Sequence, residues 1–174
     1  MAANPILRIR LFGRPQLFVG ETPLPLPTPD SAFALFAYLL LNRCQPVNRD
    51  HVAFLLWPDV PEDEARATLR RQLYLLRQQL PPCPDDHAWI LTNRSTLQWN
   101  PGTAWWLDVE VVDRFDPETA SDAAWQDLLD AHRGDLLEGM YDDWVLSERA
   151  ARHRRFLDLL ARRVDAQRAA GDWK

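Results

Sequence analysis

The stretch Glu62 to Leu80, EDEARATLRRQLYLLRQQL, constrains this chain more than any other part of it. At helical pitch Ala65, Leu69, Leu73, Leu76 and Leu80 fall within one apolar arc. Arg66, Arg70 and Arg77 line one edge of that arc, and Arg71 and Tyr74 sit further round on the open side. The spacing predicts a helix that buries leucine and shows arginine. Pro61 suits a helix start, because its fixed backbone angle matches the first turn. Glu62, Asp63 and Glu64 place negative charge where the helix dipole favours it. Pro81, Pro82 and Pro84 close the helix.

What flanks this helix decides its meaning. Upstream, residues 6–12 (ILRIRLF) alternate apolar and basic, as a half-exposed strand does. Gly13-Arg14-Pro15 reads as a turn, residues 16–19 as a second strand, and Leu24 to Leu26 as a short third. A helix from Ala32 to Asn42, capped by Asp30 or Ser31, is apolar on most sides and should be central. Gln45-Pro46-Val47-Asn48 breaks the chain, and a second helix runs over about 49–57 to Pro58. Downstream, Trp89 to Thr92 and Thr96 to Trp99, joined by Asn93-Arg94-Ser95, read as a β-hairpin. Strands, three helices and a hairpin describe an α+β winged helix-turn-helix, with 62–80 as the groove helix and the hairpin as the wing.

From Asp108 on the pattern is helical only. Asp108 to Phe115 is a short helix capped by Asp108, and Ser121 to Arg133 is a second. Gly134 to Gly139 is a loop, and Trp144 to Ala170 is a long amphipathic helix ended by Gly171. The expected boundary gives two domains, 1–104 and 105–174. Charge divides in the same place: residues 1–104 carry +1 and residues 105–174 carry −6, which together make the net −5. Acidity therefore belongs to the second half, and the overall charge does not exclude a nucleic-acid surface in the first.

Several function classes find no support. The longest apolar run, Ala32 to Leu41, is far short of the roughly 18 residues of a membrane span. The N-terminus lacks the apolar core of a secretory signal. Cys44 and Cys83 have no metal-type spacing, and His51, His87, His132 and His153 match no metal or triad pattern. There is no glycine-rich phosphate loop. No metal, cofactor or catalytic residue is expected, and the chain reads as a cytoplasmic non-enzyme.

At this point the residues resemble a known family, the SARP-type bacterial transcriptional activators, which join an OmpR-type winged helix to a bacterial transcriptional activator domain (BTAD). The resemblance rests on LRIRLFG at 7–13, LFAYLLLN at 35–42, VNRDHVAFLLWPD at 47–59, EARATLRRQLYLLRQQL at 64–80, LDVEVVDRF at 107–115, and GDLLEG at 134–139 followed by Trp144 and Arg149. It implies a TPR-like helical module after the winged helix, truncated here, so that the sequence is expected to be the N-terminal fragment of a longer regulator. It also implies double-stranded DNA as partner, dimerisation on direct repeats, and contact with RNA polymerase. The family's basic residues just ahead of the first helix are replaced here by Pro29-Asp30-Ser31-Ala32.

The expected DNA-contacting residues are Thr68, Arg70, Arg71, Tyr74 and Arg77 on the helix and Arg94 in the hairpin turn. Arginine suits phosphate and the guanine edge because its planar fork donates two parallel bonds. Arg66 stands apart, since Glu62 four residues earlier offers it an ion pair. Arg49 reads as a solvated surface residue ahead of a phosphate contact, and the Arg149 to Arg155 run as a solvated helix face, or as partners for Asp158 and acids of the preceding helix, ahead of a second nucleic-acid patch. The tryptophans read as core and packing residues, with Trp105 and Trp106 joining the hairpin to the helical part. The alternative is an interaction module that keeps the winged-helix shape without its DNA function.

Overall fold

The computed structural model describes residues 7–170, apart from the side chains of Asp85 and Ala170. The expected strand start at Ile6 and helix stop at Gly171 lie outside the described residues. The chain forms a mixed α/β fold with seven strands and six α-helices among the described residues. It divides into two compact units, one of residues 1–8 and 17–105, the other of 9–16 and 106–174.

The first strands are β1 (Leu7–Arg10), β2 (Gln16–Val19) and β3 (Thr22–Leu24). β2 and β3 form an antiparallel hairpin in which Leu17 faces Leu24. Helix α1 (Asp30–Leu41) follows. Its cap is Pro29 rather than Asp30 or Ser31: the Pro29 carbonyl accepts from the Ala32 and Phe33 amides, and no side chain takes part. Asp30 instead lies in the first turn, where its charge meets the positive end of the helix. Residues Ala32, Phe33 and Leu35 to Leu41 are all buried, as expected of a helix apolar on most sides.

Strand β4 (Val47–Asn48) was read from sequence as a break. It is two residues long and contributes a single apolar side chain, so it leaves no period to read. Helix α2 (Arg49–Leu56) starts at Asn48, whose side-chain oxygen accepts from the amides of Asp50 and His51 at 2.9 and 3.0 Å. Replacing Asn48 by Ala is expected to cost about 1 kcal/mol in chemical denaturation, the usual worth of such a cap.

Helix α3 (Glu62–Gln79) buries Ala65, Leu69, Gln72, Leu73 and Leu76 and packs on both α1 and α2. Strands β5 (Ile90–Thr92) and β6 (Thr96–Trp99) form the hairpin, with Leu91 facing Gln98. The Asn93 side chain shapes its turn by accepting from the Ser95 and Thr96 amides. β4 adds to the hairpin, Val47 opposite Leu97, giving a three-stranded sheet of order β4-β6-β5. Behind it Trp99 is fully buried, stacked on Trp89 at 5.7 Å and edge-on to Phe36 at 5.6 Å.

The second unit contains α4 (Asp108–Asp113), α5 (Asp122–Ala131) and α6 (Asp143–Ala170). It follows β7 (Trp105–Leu107), a strand the sequence reading did not contain. The Ser121 hydroxyl caps α5 by accepting from the Ala124 amide. Asp108 does not cap α4 as expected; Leu107 holds that position. Asp108 is buried, and its carboxylate accepts from the backbone amides of Leu11, Phe12 and Val109 at 2.8–2.9 Å.

The segment 11–13 also pairs with the loop before α6: the Gly13 amide donates to Asp135, and Leu137 donates to Leu11 at 2.7 Å. Gly13 has φ +75° and Gly134 φ +152°, backbone conformations that favour glycine, and a Cβ on Gly134 would sit a tight 3.3 Å from the Gly13 Cα. Arg149 secures the same loop by donating to the carbonyls of Leu136, Leu137 and Met140. Residues 9–16, read from sequence as part of the first domain, are in this way built into the second unit.

Candidate nucleic-acid interface

Three elements of the first unit converge on one concavity of about 390 Å³: the start of α2, the first half of α3 and the β5–β6 turn. Its walls include Asn48, Arg49, Asp50, Arg66, Arg70, Arg94 and Ser95. The convergence follows from pairing already described. β4 lies beside β6, so the α2 start is tied to the hairpin turn, and the Arg49 amide donates to the Ser95 carbonyl at 2.9 Å. The packing of α3 on α2 then brings Arg70 to the same place.

The charges there are unequal in freedom. Arg66 is bound to Asp50 at 2.9 Å, to Asp63 at 3.2 Å and to Glu62 at 3.4 Å, and lies 5.3 Å over the Phe54 ring. Its hydrogen bond to Asp50 raises its pKa further. The ion pair expected with Glu62 is present, and two more acids join it. Asp50, the one acid in the concavity, is thereby engaged. Arg70 and Arg94 are exposed, and neither meets an acid within salt-bridge distance among the described residues. The positive end of α2 adds to their field.

The remaining expected residues are spread along α3. Arg71 is exposed and Tyr74 is 63% exposed, both on the open face of the helix, while Thr68 is half-buried on its flank. Arg77 behaves differently. Its guanidinium donates to the Ile90 carbonyl at 3.1 Å and to the Thr92 hydroxyl at 2.9 Å, pinning the end of α3 to the hairpin. Burial, followed by the charge of Arg49, pushes its pKa down.

Arg49 is the residue for which sequence reasoning weighed a phosphate contact and set it aside. It was read as an ordinary surface arginine, because nothing in VNRDHV shows that Asn48 pairs with Thr96. The one available signal was Asn48 itself: a strong cap residue places Arg49 on the first turn of a helix.

A scan against protein-family models finds no match. Over 70 residues the chain is 36% identical to the transcriptional regulatory protein EmbR of Mycobacterium tuberculosis and of Mycobacterium bovis. That stretch is 40% of this chain and 18% of the relatives. In structure, the chain is similar to Mycobacterium tuberculosis EmbR solved in complex with a low-affinity phosphopeptide. The TM-score is 0.77 and the identity 23%, over 96% of this chain and 47% of that one, so the chain spans about half the length of the solved protein. No helix among the described residues is long and apolar enough to cross a membrane. The mixed α/β fold of this chain is similar to that of the matched half of EmbR.

Proposed function

We propose that the chain is the DNA-binding part of a SARP-like transcriptional regulator, and not an enzyme. In this reading α1, α2 and α3 with the β5–β6 hairpin form an OmpR-type winged helix over residues 1–104. Helix α3 enters the major groove, presenting Arg70, Arg71 and Tyr74, with Thr68 at its flank. The hairpin acts as the wing, Arg94 and Arg49 meet phosphate, and Arg77 holds wing and groove helix together. Residues 105–174 begin a TPR-like activator module that serves dimerisation on direct repeats and contact with RNA polymerase.

The observation that carries this reading is the concavity where Arg49, Arg70 and Arg94 converge while its one acid is bound to Arg66. Guanidinium groups on three separate elements, none within salt-bridge distance of an acid among the described residues, form a surface suited to a polyanion. The likeness to a transcriptional regulatory protein supports the same assignment.

The test is fluorescence anisotropy on a labelled mixed-sequence duplex over a salt series. Arg70→Ala with Arg94→Ala is expected to weaken binding more than tenfold at roughly 0.1 M salt. The log–log salt slope should become shallower by about two, one for each lost phosphate contact. Unchanged affinity and slope would show that the concavity does not face DNA. A second reading, a protein-interaction module of winged-helix shape, draws on the net charge of −5 and on the absence of basic residues in Pro29-Asp30-Ser31-Ala32 at the start of α1. Absence of duplex binding by the wild-type chain at low salt would favour it.

A further inference from the structure

Arg66 has more acids around it than its charge requires. Its Nε donates to Asp50 at 2.9 Å, and its two terminal nitrogens donate to Asp63 at 3.2 Å and to Glu62 at 3.4 Å, so three carboxylates share one guanidinium. Glu62 and Asp63 precede it on the same helix and face solvent. Asp50 differs from both. It comes from the first turn of α2 and makes the shortest of the three bonds. Of the three acids it alone lines the concavity, where Arg66 stands with Arg49, Arg70 and Arg94.

Holding the two helices together does not account for Asp50. α2 and α3 pack on each other, and each buries apolar side chains, Val52 and Ala53 on one, Ala65 and Leu69 on the other. The pair lies at the surface, the Arg66 side chain 36% and the Asp50 side chain 55% exposed, where an ion pair adds little to stability. What Asp50 changes is the charge of the concavity. Four guanidinium groups line it, and its one acid cancels one of them. Without Asp50, Arg66 would be a fourth cation for a polyanion. With it, a phosphate brought to Arg66 must displace a carboxylate and then lie beside it.

We propose that Asp50 restrains duplex binding by withholding Arg66 from the phosphate backbone, an inference that rests on the assignment of the concavity to DNA. Arg49, Arg70 and Arg94 meet the duplex, and Arg66 stays with Asp50. Phosphate neutralisation is the same on every sequence, so the restraint lowers how tightly the chain holds any duplex. Base preference is left to the exposed side chains of α3.

Asp50→Asn keeps the shape of the side chain and removes its charge. In anisotropy titrations of the full chain on a mixed-sequence duplex it is expected to bind about fivefold tighter than wild type at roughly 0.1 M salt, with a log–log salt slope steeper by about one. That slope is the mark of one added phosphate contact, which a purely structural role would not produce. Adding Arg66→Met to Asp50→Asn should return affinity and slope to the wild-type values, since Met fills the space over Phe54 without a charge. Glu62→Gln with Asp63→Asn removes two charges outside the concavity and should leave the slope unchanged. Circular dichroism should be the same for every variant, because all four positions lie at the surface. Equal or weaker binding by Asp50→Asn, an unchanged slope, a gain that survives Arg66→Met, or the same steepening from Glu62→Gln with Asp63→Asn would each overturn the restraint while leaving the DNA assignment intact. Absence of binding by both wild type and Asp50→Asn at low salt would refute that assignment, and the restraint with it.

Discussion

Asp108→Ala is expected to lower the stability of the second unit by about 3 kcal/mol at neutral pH. It leaves the buried amides of Leu11, Phe12 and Val109 without the acceptor they now share. Each orphaned amide costs roughly 1–3 kcal/mol, partly offset by no longer burying a charge. Asn is a poor substitute, because its amide nitrogen would face a backbone donor. Burial pushes the Asp108 pKa up to about 6 against the pull of these amides, the effect of burial being the larger. Between the ordinary value of 3.8 and about 6 the folded chain keeps a proton that the unfolded chain has lost. Bound protons are then more numerous in the folded state, so the contribution of Asp108 to stability is greatest below pH 4 and declines as pH rises to 6. The gap between wild type and Asp108→Ala should therefore narrow by on the order of 3 kcal/mol across that window. Denaturant titrations at pH 4, 5, 6 and 7 measure it, and a gap that widens with pH would refute the account. Hydrogen exchange should show faster protons at Leu11 and Phe12.

Trp99→Ala is expected to cost roughly 3–5 kcal/mol, the usual loss when a buried aromatic is truncated. Trp99 has no exposed surface, and both of its ring partners, Trp89 and Phe36, would border the resulting cavity. The indole N–H has no hydrogen-bond partner among the described residues, so Trp99→Phe removes volume but no bond. Its loss should stay under about 2 kcal/mol. The effect belongs to the first unit, where β6 is the middle strand of its sheet. Exchange protection should fall in β4, β5 and β6 and hold in α5 and α6. Equal losses for the Ala and Phe variants would mean that ring packing is not what the site provides.

These two residues mark how far the sequence could be read. Helix α3 was legible to within a residue, because 18 positions repeat one period and an acidic first turn and a double proline bound it. The hairpin was legible from its Asn-Arg-Ser turn, but β4 and β7 were not, since two or three residues carry no pattern. Asp108 was misread for a physical reason: an acid before an apolar run signals a cap, and only the distant amides of Leu11 and Phe12 make it a buried acceptor. At the candidate interface, the exposed positions of α3 follow from its period. The sequence could not tell that Arg77 turns to the hairpin or that Arg49 stands beside Arg94, because both depend on strand pairing far along the chain.

The ownership of residues 9–16 has a consequence for synthesis. Leu11 leaves the ribosome early, yet its side-chain acceptor Asp108 lies 97 residues later. At about 5–20 residues per second the segment Ile9-Arg10-Leu11-Phe12 waits roughly 5–20 s for that partner. The intervening first unit can fold meanwhile, but the amides of Leu11 and Phe12 have no acceptor from Asp108 on the nascent chain. A clone beginning at Trp106 would omit this segment and leave the Asp108 carboxylate accepting from the Val109 amide alone, so the second unit cannot be excised as one uninterrupted stretch of gene.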